Sequence, residues 1–586
     1  MSRRRTLLLL VGLAAFLGHL RAGEGRFLWY DDSRFVVANQ QIDHLGNPLR
    51  FFTDLSTTAS AEHPTDNIYR PLRTLTFALI HAAFGKRPKP FHIVSILLHA
   101  ACAMLLMLLL LQAGVVEWAA AAGAGLFALH PATVETTAWI CSLGDLLCGV
   151  FVLLAMLLYA RDHGWAALAA LALALFSKEH AVVVPGLWLA WDFFFRRDRL
   201  RRGLRSAALW RGAVAGLLLV VAFLFWRAHV GAAMRQVPEP LGGSHLAAVR
   251  TMLAGLGWYA ATILFPFGPT FDARVPVQES FLAAPVLAGL LVLVLLCAGL
   301  RFGTRRSRLG CAWFLMALVP VSNVIVPLKV PTADRFLYLP LMGISFAAVE
   351  GVVRLPVRVA RTAVPALLVL LGALTIVRIG DWRDDASLIA AGKRVRPRST
   401  MLLWAEASLA NSRALDALEA GDAAMGVAYG TQAEGLYLKY LKNAPLDERT
   451  QALVELGDLD FELGRWSLAH EAASGRYRKA YRAAMNNYNQ AWENMRHGLG
   501  RVIDRELRHV GERLVRLSIA LATPANPNVG KTIKVGLEAL HLLETRYGVD
   551  PTLDRARLRL CDSIVVRTSH PAAARKGFDA VLAMLA

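Results

Sequence analysis

The sequence predicts an all-α protein in two parts: a polytopic transmembrane helical bundle of about eleven spans, then a soluble α-helical, tetratricopeptide-like domain. Three observations carry this. Apolar runs long enough to cross a bilayer, about 17–25 residues each, recur through the first two thirds of the chain. At 55% hydrophobic residues and mean hydropathy +0.42, the 586-residue chain is too apolar for an ordinary soluble protein. Past Arg378 the long apolar runs stop, and Ala, Leu, Glu and Arg dominate at helical spacing.

The first span, 6–22, follows Arg3-Arg4-Arg5, so its basic end is expected inside and Tyr30-Asp31-Asp32 outside. It is expected to be an uncleaved anchor, because many spans follow it. A first outer loop covers 23–90. Further spans are expected at 91–112, 116–131, 137–159, 165–177, 181–195 and 207–228. The 181–195 span then ends inside, at the cluster Arg196, Arg197, Arg199, Arg201, Arg202 and Arg205. Spans at 281–300, 309–328, 335–352 and 362–379 follow, with Arg301, Arg305, Arg306 and Arg308 inside, as are Arg354, Arg358 and Arg361. That parity leaves 248–266 beginning and ending outside, as a re-entrant or interface-lying helix. The 112–118 turn breaks the pattern, carrying Glu117 and no basic residue. The bundle is expected over 1–380 and an extracytoplasmic helical domain over 381–586. In that domain Leu456-Gly457, Leu463-Gly464-Arg465 and Ala469 follow the tetratricopeptide spacing after Pro445.

A formal charge of +20 invites a nucleic-acid reading, but the arginines sit at span ends, where they orient helices and meet anionic lipid. Six cysteines without a CxxC pair indicate neither a disulfide framework nor a metal site. The polar residues of interest gather at the outer ends of spans: His130, Glu135, Asp145, Lys178-Glu179-His180, Asp334-Arg335 and Tyr338. Arg70 closes the first outer loop, and Arg250 and Asp272 flank the re-entrant segment. Charges of both signs at one membrane face are costly unless used: basic groups could hold a lipid phosphate while carboxylates activate an acceptor.

At these residues the chain resembles the membrane O-mannosyltransferases that carry tetratricopeptide tails, within the GT-C superfamily of glycosyltransferases. The resemblance rests on Tyr30-Asp31-Asp32, Tyr69-Arg70-Pro71-Leu72, Phe91-His92, Leu97-Leu98-His99, Phe127-Ala128-Leu129-His130-Pro131 and Asp145-Leu146-Leu147. It continues through Ser177-Lys178-Glu179 and Ala333-Asp334-Arg335-Phe336-Leu337-Tyr338. It implies a polyprenyl- or dolichyl-phosphate sugar donor, mannose in the best-known members, and an acceptor hydroxyl. On that basis Asp31 or Asp32 is the expected catalytic base, with Asp31 preferred. Arg70, Lys178 and Arg335 are expected at the donor phosphate, supported by His130, Glu135, Asp145, Glu179, His180, Asp334, Tyr338 and Arg250. No cofactor is required in principle, since Arg and Lys can neutralise the leaving phosphate, though a divalent metal stays open. Two departures bear on the donor: Leu143 stands where the family usually has arginine, and Asp334 replaces a common glutamate. The expected partners are the lipid-linked sugar, membrane lipid, and a protein or peptide acceptor held by the tail. The expected location is a bacterial inner membrane with the tail periplasmic, or a eukaryotic endoplasmic reticulum with the tail luminal. The rival reading is a non-catalytic scaffold, or a lipid-linked polymer transporter or ligase.

Overall fold

The computed structural model describes residues 3–542 except 30, 62–67, 202–209, 233–239, 268–272, 274, 329, 471–475, 497–503, 522–533 and 537. Tyr30, Arg202, Arg205 and Asp272 therefore lie outside the described residues. The described residues contain no strand, and the chain divides into two compact units, Met1–Arg396 and Pro397–Ala586.

In the first unit, α1 (Arg3–His19) leads through an irregular outer loop to α2 (Pro71–Phe84). Pro71 suits the first turn of α2, where its missing N–H costs nothing. The bundle continues with α3 (Pro88–Gln112), α4 (Glu117–Ala128), α5 (Leu143–Ala160), α6 (Gly164–Ser177), α7 (Val184–Phe195) and α8 (Ala215–His229). Then come α9 (His245–Leu264), α10 (Ala284–Phe302), α11 (Arg305–Leu318), α12 (Tyr338–Arg354), α13 (Val357–Ile379) and α14 (Asp385–Val395). Eight described helices are long and apolar enough to cross a membrane. Seven coincide with expected spans, and the other expected spans fall on α4, α6, α7 and α11, of 12, 14, 12 and 14 residues.

At 1.5 Å per residue these four are only about 18–21 Å long, short of a ~30 Å hydrocarbon core. Their missing length is irregular backbone at the end of the bundle that carries Asp31. α4 runs into the 3-10 turn Pro131–Thr133, α6 is followed and α7 preceded by Glu179–Val183, and α11 continues as Val319–Val321. Non-helical backbone at such depth needs protein around it, and Pro131, Ala132 and Thr133 are all buried.

The opposite end of the bundle is rich in arginine. Arg306 donates to the carbonyls of Ala113 and Gly114 and pairs with Glu350, while Arg3 lies 3.9 Å from Glu117. The anomalous 112–118 turn thus sits at the arginine-rich end and borrows its cations from neighbouring helices.

The segment at 248–266, expected to be a re-entrant or interface-lying helix, is one unbroken 20-residue helix, α9. Length alone would let it cross. Yet the chain beyond it comes back to its beginning: Gln278 N–H donates to Thr251 Oγ1 and Arg250 Nε to Gln278 O, both at 3.0 Å. The approach to α10 therefore starts beside the first turns of α9.

The unit boundary also lies later than the expected break after 380. Trp382 stacks on Trp139 at 6.5 Å, Asp385 Oδ1 accepts the Trp29 N–H at 2.9 Å, and Leu388 is buried in the same cluster. These contacts hold α14 to the bundle.

The second unit stacks antiparallel helices: α15 (Thr400–Glu419), α16 (Ala423–Asn443), α17 (Arg449–His470), α18 (Arg476–Arg496) and α19 (Asp504–Leu521). Gly421, at φ +82°, turns the chain between the first two. Gly457 and Gly464 lie on the face of α17 against which Tyr488 and Tyr481 pack. A Cβ at Gly457 would stand 2.9 Å from the Tyr488 ring, so the close helix approach depends on the missing side chain.

Candidate functional site

Asp31 and Asp32 open a short π-helical turn, and their carboxylates have different environments. Asp32 is buried, with Oδ2 accepting the Leu28 N–H at 2.9 Å and Oδ1 the Cys141 N–H at 3.0 Å. Both its oxygens are spent fastening the outer loop to the start of α5. Burial pushes its carboxyl up to about 7, against the pull of those two donors. Asp31 is half-buried, and among the described residues nothing hydrogen-bonds its carboxylate. Burial raises its pKa too, opposed by the guanidinium groups of Arg335, Arg34, Arg73 and Arg70, in decreasing order.

The three cations expected at a phosphate each hold a carboxylate. Arg70, at the N-cap of α2, makes a two-pronged pair with Glu179: Nε to Oε2 at 3.2 Å, Nη2 to Oε1 at 2.7 Å. Lys178 Nζ lies 2.5 Å from Asp145 Oδ1, both side chains buried. Glu135 takes the Arg335 guanidinium on Oε1 and the Arg335 N–H on Oε2 at 3.0 Å. Phe336 joins the last two pairs, its ring 5.9 Å from Lys178 Nζ and 5.1 Å from Arg335 Cζ. His180 packs edge-on to the same ring at 6.1 Å. Asp31, Arg70, Glu135, Asp145, Lys178, Glu179, His180 and Arg335 therefore form one electrostatic neighbourhood.

Other expected residues have structural partners. Asp334 is ion-paired with Arg378 of α13. Tyr338 OH lies 2.9 Å from His99 Nδ1 in the bundle core. His130 accepts the Ala132 N–H at 3.1 Å and reaches the Ile263 carbonyl at 2.9 Å, capping one turn and tying it to the end of α9. Arg250 stands apart, bonded to Gln278 O with its guanidinium 5.7 Å from the Phe281 ring. No group of three or more His, Cys, Asp or Glu among the described residues is arranged to hold a metal.

Arg73 is the residue that sequence reasoning passed over. It lies one turn beyond Arg70 on α2, is 2% exposed, and belongs to the same neighbourhood. A Cβ built on Gly144 would meet Arg73 Cδ at 3.4 Å and Arg70 Cδ at 3.7 Å, so both stems rest on a residue without a side chain. Burial pushes the Arg73 guanidinium down to about 10. The signal was available: Arg70 and Arg73 are three apart, the spacing that puts two side chains on one helix face.

The chain is 25% identical over 464 residues to the protein O-mannosyl-transferase TMTC4 of Mus musculus, covering 66% of this chain and 62% of that one. It is 24% identical over 498 residues to the Homo sapiens protein O-mannosyl-transferase TMTC2, covering 66% and 58%. With the Caenorhabditis elegans protein O-mannosyl-transferase F38B6.6 it shares 24% over 420 residues, covering 68% and 59%. The chain thus spans about three fifths of the length of the curated relatives it matches. No family model matches it, and no solved structure does. Over about two thirds of its own length the chain is thus similar to proteins named protein O-mannosyl-transferases.

Proposed function

We propose that this chain is an integral-membrane glycosyltransferase of GT-C type that moves a sugar, mannose in the first instance, from a polyprenyl-phosphate donor to a hydroxyl of a protein acceptor. The similarity to proteins named protein O-mannosyl-transferases supports the activity class. One observation carries the mechanism: among the described residues nothing donates to the Asp31 carboxylate, which lies in the field of Arg335, Arg34, Arg73 and Arg70, while its neighbour Asp32 is fully committed to backbone.

In this reading the acceptor O–H donates its proton to Asp31 as the oxygen attacks C1 of the sugar. The C1–O bond to the phosphate breaks with inversion, and the bonding pair leaves on the phosphate oxygen. Arg70, Lys178 and Arg335 stabilise that growing charge from positions fixed before the reaction by Glu179, Asp145 and Glu135. No metal is required by this scheme. The membrane supplies the donor laterally, and the tail holds the polypeptide acceptor on the same side.

The test is transfer in vesicles containing the full chain, a defined polyprenyl-phosphate mannose and a hydroxyl-bearing peptide. Asp31→Asn should lower the transfer rate about 10²–10⁴-fold, the usual cost of losing a general base. Parent-rate transfer by this variant would rule out Asp31, and absence of transfer by the unmodified chain with any such donor would rule out the activity.

A further inference from the structure

Of the cations gathered at this end of the bundle, half-buried Arg70 and Arg335 and buried Lys178 and Arg378 each hold a carboxylate, and buried Arg73 has none among the described residues. Its Nε and Nη2 are buried with no hydrogen-bond partner. A guanidinium kept dry and unpaired is one of the costliest groups a fold can carry, so its neighbours must be arranged for something.

Those two atoms share one edge of the guanidinium, and together they form the side-on fork. Arg70 uses the same two atoms, Nε and Nη2, to grip both oxygens of Glu179. In Arg73 the flat face is occupied instead, with Cζ 4.5 Å from the Phe35 ring and 5.6 Å from that of Phe77. Stacking fixes the plane of the group and leaves its edge donors unused. The third residue of α2 also sits near the positive end of the helix dipole, which favours an anion there.

We propose that the Nε/Nη2 fork of Arg73 is the anchor for two oxygens of the donor phosphate. This rests on the lipid-phosphate transferase reading and deepens it. Arg70, Lys178 and Arg335, each balanced by its own carboxylate, meet the charge that grows on the leaving oxygen from fixed positions. Arg73 contributes the uncompensated charge that makes a bound phosphate favourable. Its place beside Arg70, and within the field of Asp31, sets the leaving group next to the base.

The experiment measures thermal stability and lipid binding of the full-length chain in detergent, using undecaprenyl phosphate without sugar, the corresponding polyprenol, and inorganic phosphate. Arg73→Met keeps the bulk against Phe35 and removes the charge. It should raise the melting temperature in the absence of lipid and weaken undecaprenyl phosphate about 10- to 100-fold, the scale of lost hydrogen bonds to an ion. Polyprenol should bind both forms alike. Protection of the unmodified chain by inorganic phosphate, lost in Arg73→Met, would show the fork reading the anion itself rather than the lipid. Arg73→Lys keeps the charge without the fork and should fall between the two.

If the unmodified chain does not respond to undecaprenyl phosphate, the donor reading fails and the anchor with it. If it responds and Arg73→Met responds equally, the anchor alone is overturned. Should Arg73→Met fail to fold, Arg73→Lys decides: affinity equal to the unmodified chain overturns the fork, and reduced affinity supports it.

Discussion

Adjacent carboxylates rarely differ as much as Asp31 and Asp32 do, and the difference can be measured. Asn at 31 keeps the size of the side chain and leaves no hydrogen bond broken among the described residues, so activity should fall while the melting temperature holds. Asn at 32 would turn an NH2 group toward either the Leu28 or the Cys141 N–H, donor against donor. Its cost should be about 1–3 kcal/mol of stability, with activity lost as a consequence. Thermal melts of the two variants beside their transfer rates separate the roles. The pH dependence follows from the same burial. Asp31 must be ionised to act, and its pKa is raised, so the acid limb of the rate profile should lie above the ordinary carboxylate range and vanish in Asp31→Asn. For stability the sign runs the other way. Folded Asp32 keeps a proton up to about pH 7 that the unfolded chain has released near its ordinary value of 3.8. Its contribution therefore weakens as pH rises through that window, and melting temperatures should show it in the unmodified chain and less in Asp32→Asn. Arg335→Lys should weaken donor use, because an ammonium keeps the charge on Glu135 Oε1 but lacks the planar fork that can meet a phosphate oxygen as well.

At the scale of elements, the site exists because several spans are too short to finish as α-helix. The 3-10 turns Pro131–Thr133, Glu179–Val183 and Asp334–Leu337 bring Glu135, Glu179 and Arg335 inward where regular helices would carry them past one another. Hydropathy made the spans legible, since apolar length is a property of contiguous residues, and arginine clusters gave their ends. The pairings were not legible: Arg70 and Glu179 are 109 residues apart, Arg335 and Glu135 are 200. Nothing in the pattern around either says which partner it meets. Arg73 was legible only as a helix-face neighbour of Arg70, three residues away; that it is buried and unpaired among the described residues depends on contacts the pattern does not give. Whether α9 is re-entrant or lies at the interface stayed open in the sequence, because span parity reports where a segment starts and ends and nothing about its backbone between. The tail was more readable. Small residues at Gly457 and Gly464 are spaced seven apart on one helix face, and both receive tyrosine rings. Gly457→Leu should therefore force α17 and α18 apart and cost about 1–3 kcal/mol, read as a lowered melting transition or faster proteolysis of the tail in the full chain.

For the whole molecule, the two ends of the bundle are chemically unlike. One end carries Arg3, Arg196, Arg301, Arg305, Arg306, Arg354 and Arg358 on the first and last turns and short connections of its helices. The other carries the balanced cluster around Asp31, where cations and carboxylates neutralise each other at close range. By the tendency of Lys and Arg to stay on the cytoplasmic side, the first end is expected inward. The 112–118 turn, the one connection lacking its own basic residue, follows the same rule through Arg306 and Arg3. With α9 starting and returning on one side, as the Gln278 contacts to Arg250 and Thr251 support, the remaining crossings are odd in number. The tail should then lie outside, on the side of Asp31, where a polypeptide acceptor must be if that carboxylate is to take its proton. An even number would leave the acceptor-binding helices and the base on opposite faces of the membrane, and the proposed reaction would have no route. A phosphatase that folds and acts only outside the cytoplasm, fused after Ala586, should be active in intact cells. The same enzyme fused within the Arg196–Arg201 connection should be silent. A silent carboxy-terminal fusion that is nonetheless expressed and membrane-bound would make α9 a true crossing and place the tail with the arginines.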